Sequence, residues 1–91
     1  MTPLQLSKDA MKYLERLDAK QYRQVSRKLF SLCEDPKPTD CIHLSGNPGY
    51  FRVTIGEYRA VYKPTEKVIE IAIVGPRNDD EVYRQTKRKL T

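Results

Sequence analysis

Three arginines and a tyrosine in the second half of the chain are of residue types that act on phosphates. Arg52 and Arg59 stand in the stretch GYFRVTIGEYRAVYKP, and Arg77 and Tyr83 follow in VGPRNDDEVYR. A guanidinium stays protonated, and its planar fork can hold two phosphate oxygens. RNA supplies its own 2′-hydroxyl as a nucleophile, so cleavage needs only a base, charge stabilisation and an acid from the protein. The four residues therefore predict phosphoryl transfer on RNA without a metal ion.

Each residue type has a role in that chemistry and an alternative interpretation. Arginines suit the anionic transition state, and cationic neighbours favour the phenolate of Tyr83, the form that accepts a proton. Alternatively, Glu70 and nearby acids neutralise the arginines as ion pairs, and Tyr83 is an ordinary helix aromatic packed on the sheet edge. Both alternatives are open from the residues alone.

The charge balance indicates the class of partner. The 91 residues contain 17 Lys and Arg against 12 Asp and Glu, a net charge of +5. Such a balance favours a polyanion, either nucleic acid or an acidic protein segment, over a neutral metabolite. A merely basic surface is an equal alternative on charge alone. The length predicts a single domain over residues 1–91.

Few residues offer metal or cofactor chemistry. His43 is the single histidine, and the two cysteines, Cys33 and Cys41, form no CxxC motif. We therefore expect reduced structural thiols, a partly buried His43 in a loop or strand, and no metal or other cofactor. No apolar run approaches the roughly 18 residues of a membrane span, and Met1 leads into no signal-like segment. These features predict a cytoplasmic protein with no membrane partner.

The first third of the chain predicts a short strand and a helical hairpin. Leu4 and Leu6 alternate as in a strand, and Ser7 and Asp18 can each cap a helix. Apolar residues recur behind both caps at helical spacing, and these stripes need a sheet to cover. The stripes are Ala10, Leu14 and Leu17 in the first helix, and Tyr22, Val25, Leu29, Leu32 and Cys33 in the second.

Three further strands and a last helix are predicted after the turn clusters DPKPTD and SGNPG. The strands are residues 50–55, 58–63 and 68–74, and the helix begins at Asn78 or Asp79. Gly56-Glu57 fits a type II′ turn, which pairs Ile55 with Tyr58 and continues to Phe51 with Tyr62. The expected fold class is α+β: an N-terminal strand and helical hairpin packed on a small, mainly antiparallel β-sheet, with a C-terminal helix.

This register sorts the side chains into two faces of the sheet, because successive residues alternate. The first face, covered by the helices, holds Phe51, Val53, Ile55, Tyr58, Ala60, Tyr62, Ile69, Ile71 and Ile73. The second face is predicted to be partly exposed and to hold Arg52, Thr54, Arg59, Val61, Val68, Glu70, Ala72 and Val74.

The paired segments LxGxxGYFRVTIGEYRAVY and VGPRNDDEVYRQTKRKL resemble the RelE/ParE superfamily of bacterial and archaeal toxin–antitoxin toxins, on the RelE side. The resemblance covers essentially the whole chain and implies a RelE-like fold. It implies a type II toxin that is a ribosome-dependent endoribonuclease, an mRNA interferase that cuts messenger RNA in the ribosomal A site and inhibits translation. It also implies a cognate acidic, RelB-like antitoxin, through which the toxin–antitoxin complex binds operator DNA.

By position, the resemblance implies roles for single residues. Arg59 and Arg77 look like the arginines that stabilise charge at the scissile phosphate, and Tyr83 like the general base. Thr54 departs from the best-studied pattern, which has a lysine there. The residues expected to bind RNA or the ribosome are Arg52, Thr54, Arg23, Arg27, Lys28, Arg84, Lys87 and Arg88.

Two other functions stay open. One is a ParE-like toxin of the same fold that inhibits DNA gyrase without cutting RNA; that branch generally lacks the ending with Arg77 and Tyr83. The other is a non-enzymatic basic module that binds RNA through charge alone. For the toxin, we expect the antitoxin to displace or neutralise the last helix, which is terminal and has few apolar anchors.

Overall fold

The computed structural model describes residues 1–77 and the two separate positions Arg84 and Arg88. The predicted last helix, from Asn78 or Asp79, lies outside the described residues, except that Arg84 and Arg88 have helical backbone. No helix of the described part is long and apolar enough to cross a membrane. The elements in chain order are β1 (Leu4–Leu6), α1 (Lys8–Glu15), α2 (Ala19–Ser31), β2 (Ile42–His43), β3 (Phe51–Ile55), β4 (Tyr58–Pro64) and β5 (Ile69–Pro76).

The strands form one five-stranded sheet in the order β1-β5-β4-β3-β2. β1 is parallel to β5, and every other neighbouring pair is antiparallel. Two helices on a mainly antiparallel sheet confirm the predicted α+β class. Strands β3, β4 and β5 therefore lie side by side. Arg52 is in β3, Arg59 is in β4, and Arg77 directly follows β5.

Both helices begin at the predicted caps. The Ser7 hydroxyl accepts the backbone N–H of Ala10 at 3.0 Å and donates to the Ala72 carbonyl at 2.7 Å, which ties α1 to β5. Asp18 Oδ1 accepts the backbone N–H of Gln21 at 2.8 Å. A cap of this kind stabilises a helix by about 1 kcal/mol. Two short helices are therefore fixed at their N-termini by local sequence.

The main core lies between the helices and the first face of the sheet. Tyr22, which the apolar stripe placed in the core, is instead 47% exposed. A tyrosine tolerates that position because its ring can lie along the surface with the hydroxyl in water. The buried cluster contains Ala10, Leu14, Val25, Leu29, Leu32 and Cys33 from the helical side and Val53, Ile55, Tyr58, Ala60, Tyr62, Ile69, Ile71 and Val74 from the sheet.

The β3–β4 hairpin has the predicted register, from Ile55 opposite Tyr58 to Phe51 opposite Tyr62. Gly56 has a φ of +58°, whereas no described non-glycine residue has a positive φ. A positive φ at the first turn residue alone is the signature of type II′. The turn that sets the faces of β3 and β4 is therefore the expected one.

The β4–β5 pairing contains an irregularity that the alternation rule did not predict. Val61 lies opposite Ile73, but Tyr62 lies opposite Ile71, so Ala72 is an extra residue on β5. A bulge of this kind exchanges the faces of the residues beyond it. The predicted faces of Ile73 and Val74 are therefore wrong: Ile73 packs with Val61 on the second face, and Val74 packs in the main core.

Strand β2 was not predicted as an element and it extends the sheet beyond β3. Ile42 pairs with Arg52, and His43 pairs with Phe51. The expectation that His43 lies in a loop or strand is confirmed, but its expected partial burial is wrong. The ring is exposed and packs edge-on against Phe51, with centroids 5.2 Å apart.

Candidate functional site

Arg52 on β3, Arg59 on β4 and Arg77, which directly follows β5, form a diagonal row on the second face, which we call the arginine row. Arg59 on β4 lies opposite Thr54 on β3, two residues from Arg52. It also lies opposite Gly75 on β5, two residues before Arg77. Diagonal neighbours of this kind have Cα atoms about 7–8 Å apart, within reach of long side chains. Three guanidiniums can therefore approach one stretch of a phosphate backbone.

Arg59 is the central member of the row, and its direct neighbours are small. Thr54 is exposed, and Gly75 has no side chain, so neither strand places a bulky group beside the half-buried Arg59. The two neighbouring strands therefore add little bulk beside the Arg59 side chain.

Arg77 is anchored to the β3–β4 turn. Its backbone N–H donates to the Glu57 carbonyl at 2.8 Å, and Nη1 donates to the Gly56 carbonyl at 3.3 Å. Helix α2 supports the same turn, because a Cβ at Gly56 would lie 2.5 Å from Gln24 Nε2. The turn thus holds an exposed arginine next to Arg59. Sequence reasoning placed Arg77 at this face but missed the anchor, which depends on contacts between distant segments.

The second face is more covered than predicted. Leu44, Val61 and Ile73 form a small buried cluster against which Tyr50 and Ala72 pack. The Leu44 backbone N–H donates to the Tyr50 carbonyl at 2.9 Å, which closes the intervening loop over this part of the sheet. The apolar cluster therefore covers the part of the second face next to Arg52, whose partner on β4 is Val61.

Glu70 does not occupy the position of a partner for the row. Glu70 lies opposite Lys63 on β4 and Gln5 on β1. The pair of Val61 and Ile73 lies between this position and the pair of Arg59 and Gly75. Arg52 and Arg59 each interact with other residues of the protein. The alternative in which Glu70 neutralises Arg59 is therefore not favoured by the register.

The predicted basic residues of α2 lie on the helix side of the sheet. Arg23 and Arg27 are exposed and line a shallow depression with Lys20 and Gln24. The depression adjoins the β3–β4 turn through Gln24, so it is connected to the Arg77 end of the arginine row.

Lys28, the third basic residue of α2, is engaged in an ion pair. Its Nζ lies 2.9 Å from Asp40 Oδ2. The hydrogen bond from Lys28 lowers the pKa of the Asp40 carboxyl. Lys28 therefore has an anionic partner that it would have to release to bind RNA.

The remaining predicted site residues belong to the end of the chain. Arg84 and Arg88 are exposed, and each has helical backbone. Tyr83 and Lys87 lie outside the described residues. Within the described part, no three His, Cys, Asp or Glu side chains are grouped in a way that could hold a metal ion.

A family model matches most of the chain. The family model described as "ParE toxin of type II toxin-antitoxin system, parDE" matches residues 4–81. No curated protein matches the chain significantly in sequence.

Solved structures show the same fold. RelE in the archaeal RelE–RelB complex from Pyrococcus horikoshii OT3 is 28% identical, with a TM-score of 0.74 over 85% of this chain and 96% of that chain. The isolated E. coli RelE toxin is 25% identical, with a TM-score of 0.74 over 100% of both chains. The YoeB dimer from Staphylococcus aureus is 26% identical, with a TM-score of 0.61 over 78% of this chain and 91% of that chain.

Proposed function

The chain belongs to the ParE toxin family, within the RelE/ParE superfamily of type II toxin–antitoxin toxins, and from that premise we propose that it is a ribosome-dependent endoribonuclease. The observation that carries the proposal is the arginine row, which runs from β3 across β4 to the end of β5. A ligand that satisfies three guanidiniums in a line is a polyanion with regularly spaced charges, as a single RNA strand is.

The proposed reaction is an attack of an RNA 2′-hydroxyl on the adjacent phosphorus. The 2′-oxygen forms a bond to phosphorus, the bond to the 5′-oxygen breaks, and the products carry a 2′,3′-cyclic phosphate and a 5′-hydroxyl. Arg59 and Arg77 stabilise the charge that develops on the phosphate oxygens. Tyr83, as the phenolate, accepts the proton of the 2′-hydroxyl as general base, a water molecule donates a proton to the leaving 5′-oxygen, and Arg52 holds a neighbouring phosphate.

The ribosome is proposed to align the reacting atoms of the RNA. A toxin with few groups of its own gains rate when another surface aligns the 2′-oxygen, the phosphorus and the leaving oxygen, since alignment alone can supply several kcal/mol of a barrier. Arg84, Lys87 and Arg88 are proposed to contact ribosomal RNA, and Arg23 and Arg27 extend the basic surface around the turn.

A second function, inhibition of DNA gyrase, is favoured by the description of the matched family, which names ParE. One pair of assays separates the two. Primer extension on messages from cells that express the chain should reveal new ends within translated codons, and a gyrase supercoiling assay with the purified chain should be unaffected. Blocked supercoiling with no new messenger ends would refute the endoribonuclease function and support inhibition of gyrase.

The proposed partner is an acidic, RelB-like antitoxin, because relatives with this fold were solved as RelE–RelB complexes. We propose that it wraps the toxin, displaces or neutralises the predicted last helix, and carries the complex to operator DNA. Hydrogen exchange with and without the antitoxin tests the mechanism. If the amides of residues 79–90 kept the same protection from exchange in a fully inhibited complex, the antitoxin would act only by steric blocking.

A further inference from the structure

A cavity of about 210 Å³ opens on the second face, beside the row of arginines and outside the residues proposed for catalysis. It lies where β1, the bulge of β5 and the residue before β3 meet. Its lining combines an aromatic ring, a carboxylate and an amide, which are the groups that proteins use to hold an unstacked nucleobase. The lining residues are Gln5, Leu6, Ser7, Tyr50, Glu70, Ile71 and Ala72.

Tyr50 is the aromatic wall of the cavity and is held in place. Its ring packs on the buried cluster of Leu44, Val61 and Ile73, and Lys63 Nζ lies 5.5 Å from the ring centroid. A ring that is fixed by packing stacks on a base at little entropic cost. The Lys63 ammonium lies over the ring, so a base that stacks on that face displaces it, and the displaced cation can meet the phosphate of the bound nucleotide.

Glu70 and Gln5 provide the polar groups. They lie directly opposite each other on β5 and β1, at the same level of the second face. Within residues 1–77, the half-buried Glu70 makes no ion pair, although Lys63 is its neighbour on β4. The Ser7 hydroxyl already donates a hydrogen bond to the Ala72 carbonyl and accepts one from the Ala10 backbone N–H. The carboxylate and the amide are therefore the groups available to a ligand.

The position of the cavity fits a nucleotide near the scissile phosphate. Tyr50 is two residues from Arg52 on the same side of the chain, a distance of about 7 Å along an extended strand. Lys63 is four residues from Arg59 along β4, about 13 Å. A single RNA strand that lies along the arginine row can therefore place a nearby base over Tyr50.

We propose that this cavity binds a guanine base of the RNA. Guanine presents two adjacent N–H donors, N1–H and the N2 amino group, which one carboxylate can accept together, and its O6 can accept from the Gln5 amide. Adenine, cytosine and uracil offer a carboxylate at most one donor group on that edge. The inference rests on the proposed function for its biological substrate, but the cavity itself can be tested without any cleavage.

Titration of the purified full chain with GMP, AMP, CMP and UMP, followed by NMR, tests the cavity directly. GMP is expected to shift the amide signals of residues 5–7, 50 and 70–72, with a dissociation constant at least about 10-fold below those of the other three nucleotides, the factor expected of one good base contact. Equal affinity for all four, or shifts confined to the arginine row, would overturn the proposal.

Variants assign the roles. Tyr50→Ala should weaken all four nucleotides by about 10-fold or more, whereas Tyr50→Phe should keep the stack and the affinity. Glu70→Gln should remove the preference for GMP, and Glu66→Gln, a change of the same type at an exposed loop residue, should not. A preference for GMP that survives Glu70→Gln would refute the carboxylate contact.

Guanine binding with no cleavage of messages would refute the proposed function alone, and cleavage with no binding in the cavity would refute this inference alone.

Discussion

Replacing Thr54 with lysine adds a cation directly beside Arg59, and its effects can be worked out from the hairpin register. The two residues face each other across β3 and β4, and Thr54 is exposed. Side chains in that relation start about 5 Å apart. Two unit charges about 6 Å apart repel by about 0.7 kcal/mol in water and about 3 kcal/mol at an effective dielectric constant of 20.

Because Thr54 is exposed, water screens the repulsion between the new ammonium and Arg59, and the value of about 0.7 kcal/mol applies. We expect Thr54→Lys to lower the free energy of unfolding by less than about 1 kcal/mol, as measured by urea denaturation, and the loss should shrink at high salt. Single-stranded RNA should gain one phosphate contact, which steepens the slope of log affinity against log salt by about 0.7. Cleavage should rise or stay unchanged.

The matched control is Thr39→Lys, which adds the same charge at an exposed loop residue outside the sheet. It should leave the salt slope close to that of the original chain. A sharp loss of RNA binding or cleavage in Thr54→Lys, or an equal slope in both variants, would show that position 54 does not face the RNA and would refute the register argument.

The other substitutions address catalysis, binding and the core. Arg77→Ala and Tyr83→Phe should each lower the single-turnover cleavage rate by about 10²- to 10³-fold. Tyr83→Phe should leave thermal stability unchanged, and Arg77→Ala should lower the free energy of unfolding by no more than about 1 kcal/mol, because it removes the exposed hydrogen bond from Nη1 to the Gly56 carbonyl; full activity of Tyr83→Phe would refute the base assignment. Arg52→Ala should weaken RNA binding, and the loss should diminish as salt rises; a salt-independent loss would contradict a phosphate contact. Tyr62→Phe removes a hydrogen bond from the hydroxyl to the Pro36 carbonyl at 2.7 Å, which should cost about 0.5–1.5 kcal/mol near neutral pH. Burial raises the pKa of Tyr62, so the folded state favours the neutral phenol and its stability falls above about pH 10, where the unfolded chain ionises. Denaturation curves of the phenylalanine variant should show a smaller alkaline loss, and an identical loss would contradict the burial of this ring.

The features that the sequence predicted correctly are those that depend on local interactions. Ser7 and Asp18 cap their helices through bonds to residues three positions away, and Gly56 sets the hairpin register through its own backbone angle. The bulge at Ala72 depends on packing between distant segments. There the loop that carries Leu44 covers the second face, and alternation alone cannot reveal it.

The same division holds for the candidate site. Arg52 and Arg59 share a face because they lie in one hairpin, so alternation was enough to place them together. The anchoring of Arg77 on the turn, and the cavity that Tyr50 completes, each join segments that are far apart in the chain. No short pattern marks such contacts, although the period of two that relates Tyr50 to Arg52 was a usable signal.

The most direct test of the central claim removes the nucleophile from the RNA. A ribosome is loaded with a synthetic message that carries one 2′-deoxynucleotide on the 5′ side of the phosphate that the chain cuts, and a second ribosome carries the matching all-ribose message. We expect cleavage of the all-ribose message to a 2′,3′-cyclic phosphate and a 5′-hydroxyl, and no cut at the substituted position. Cleavage that persists at the 2′-deoxynucleotide would contradict attack by the RNA's own hydroxyl.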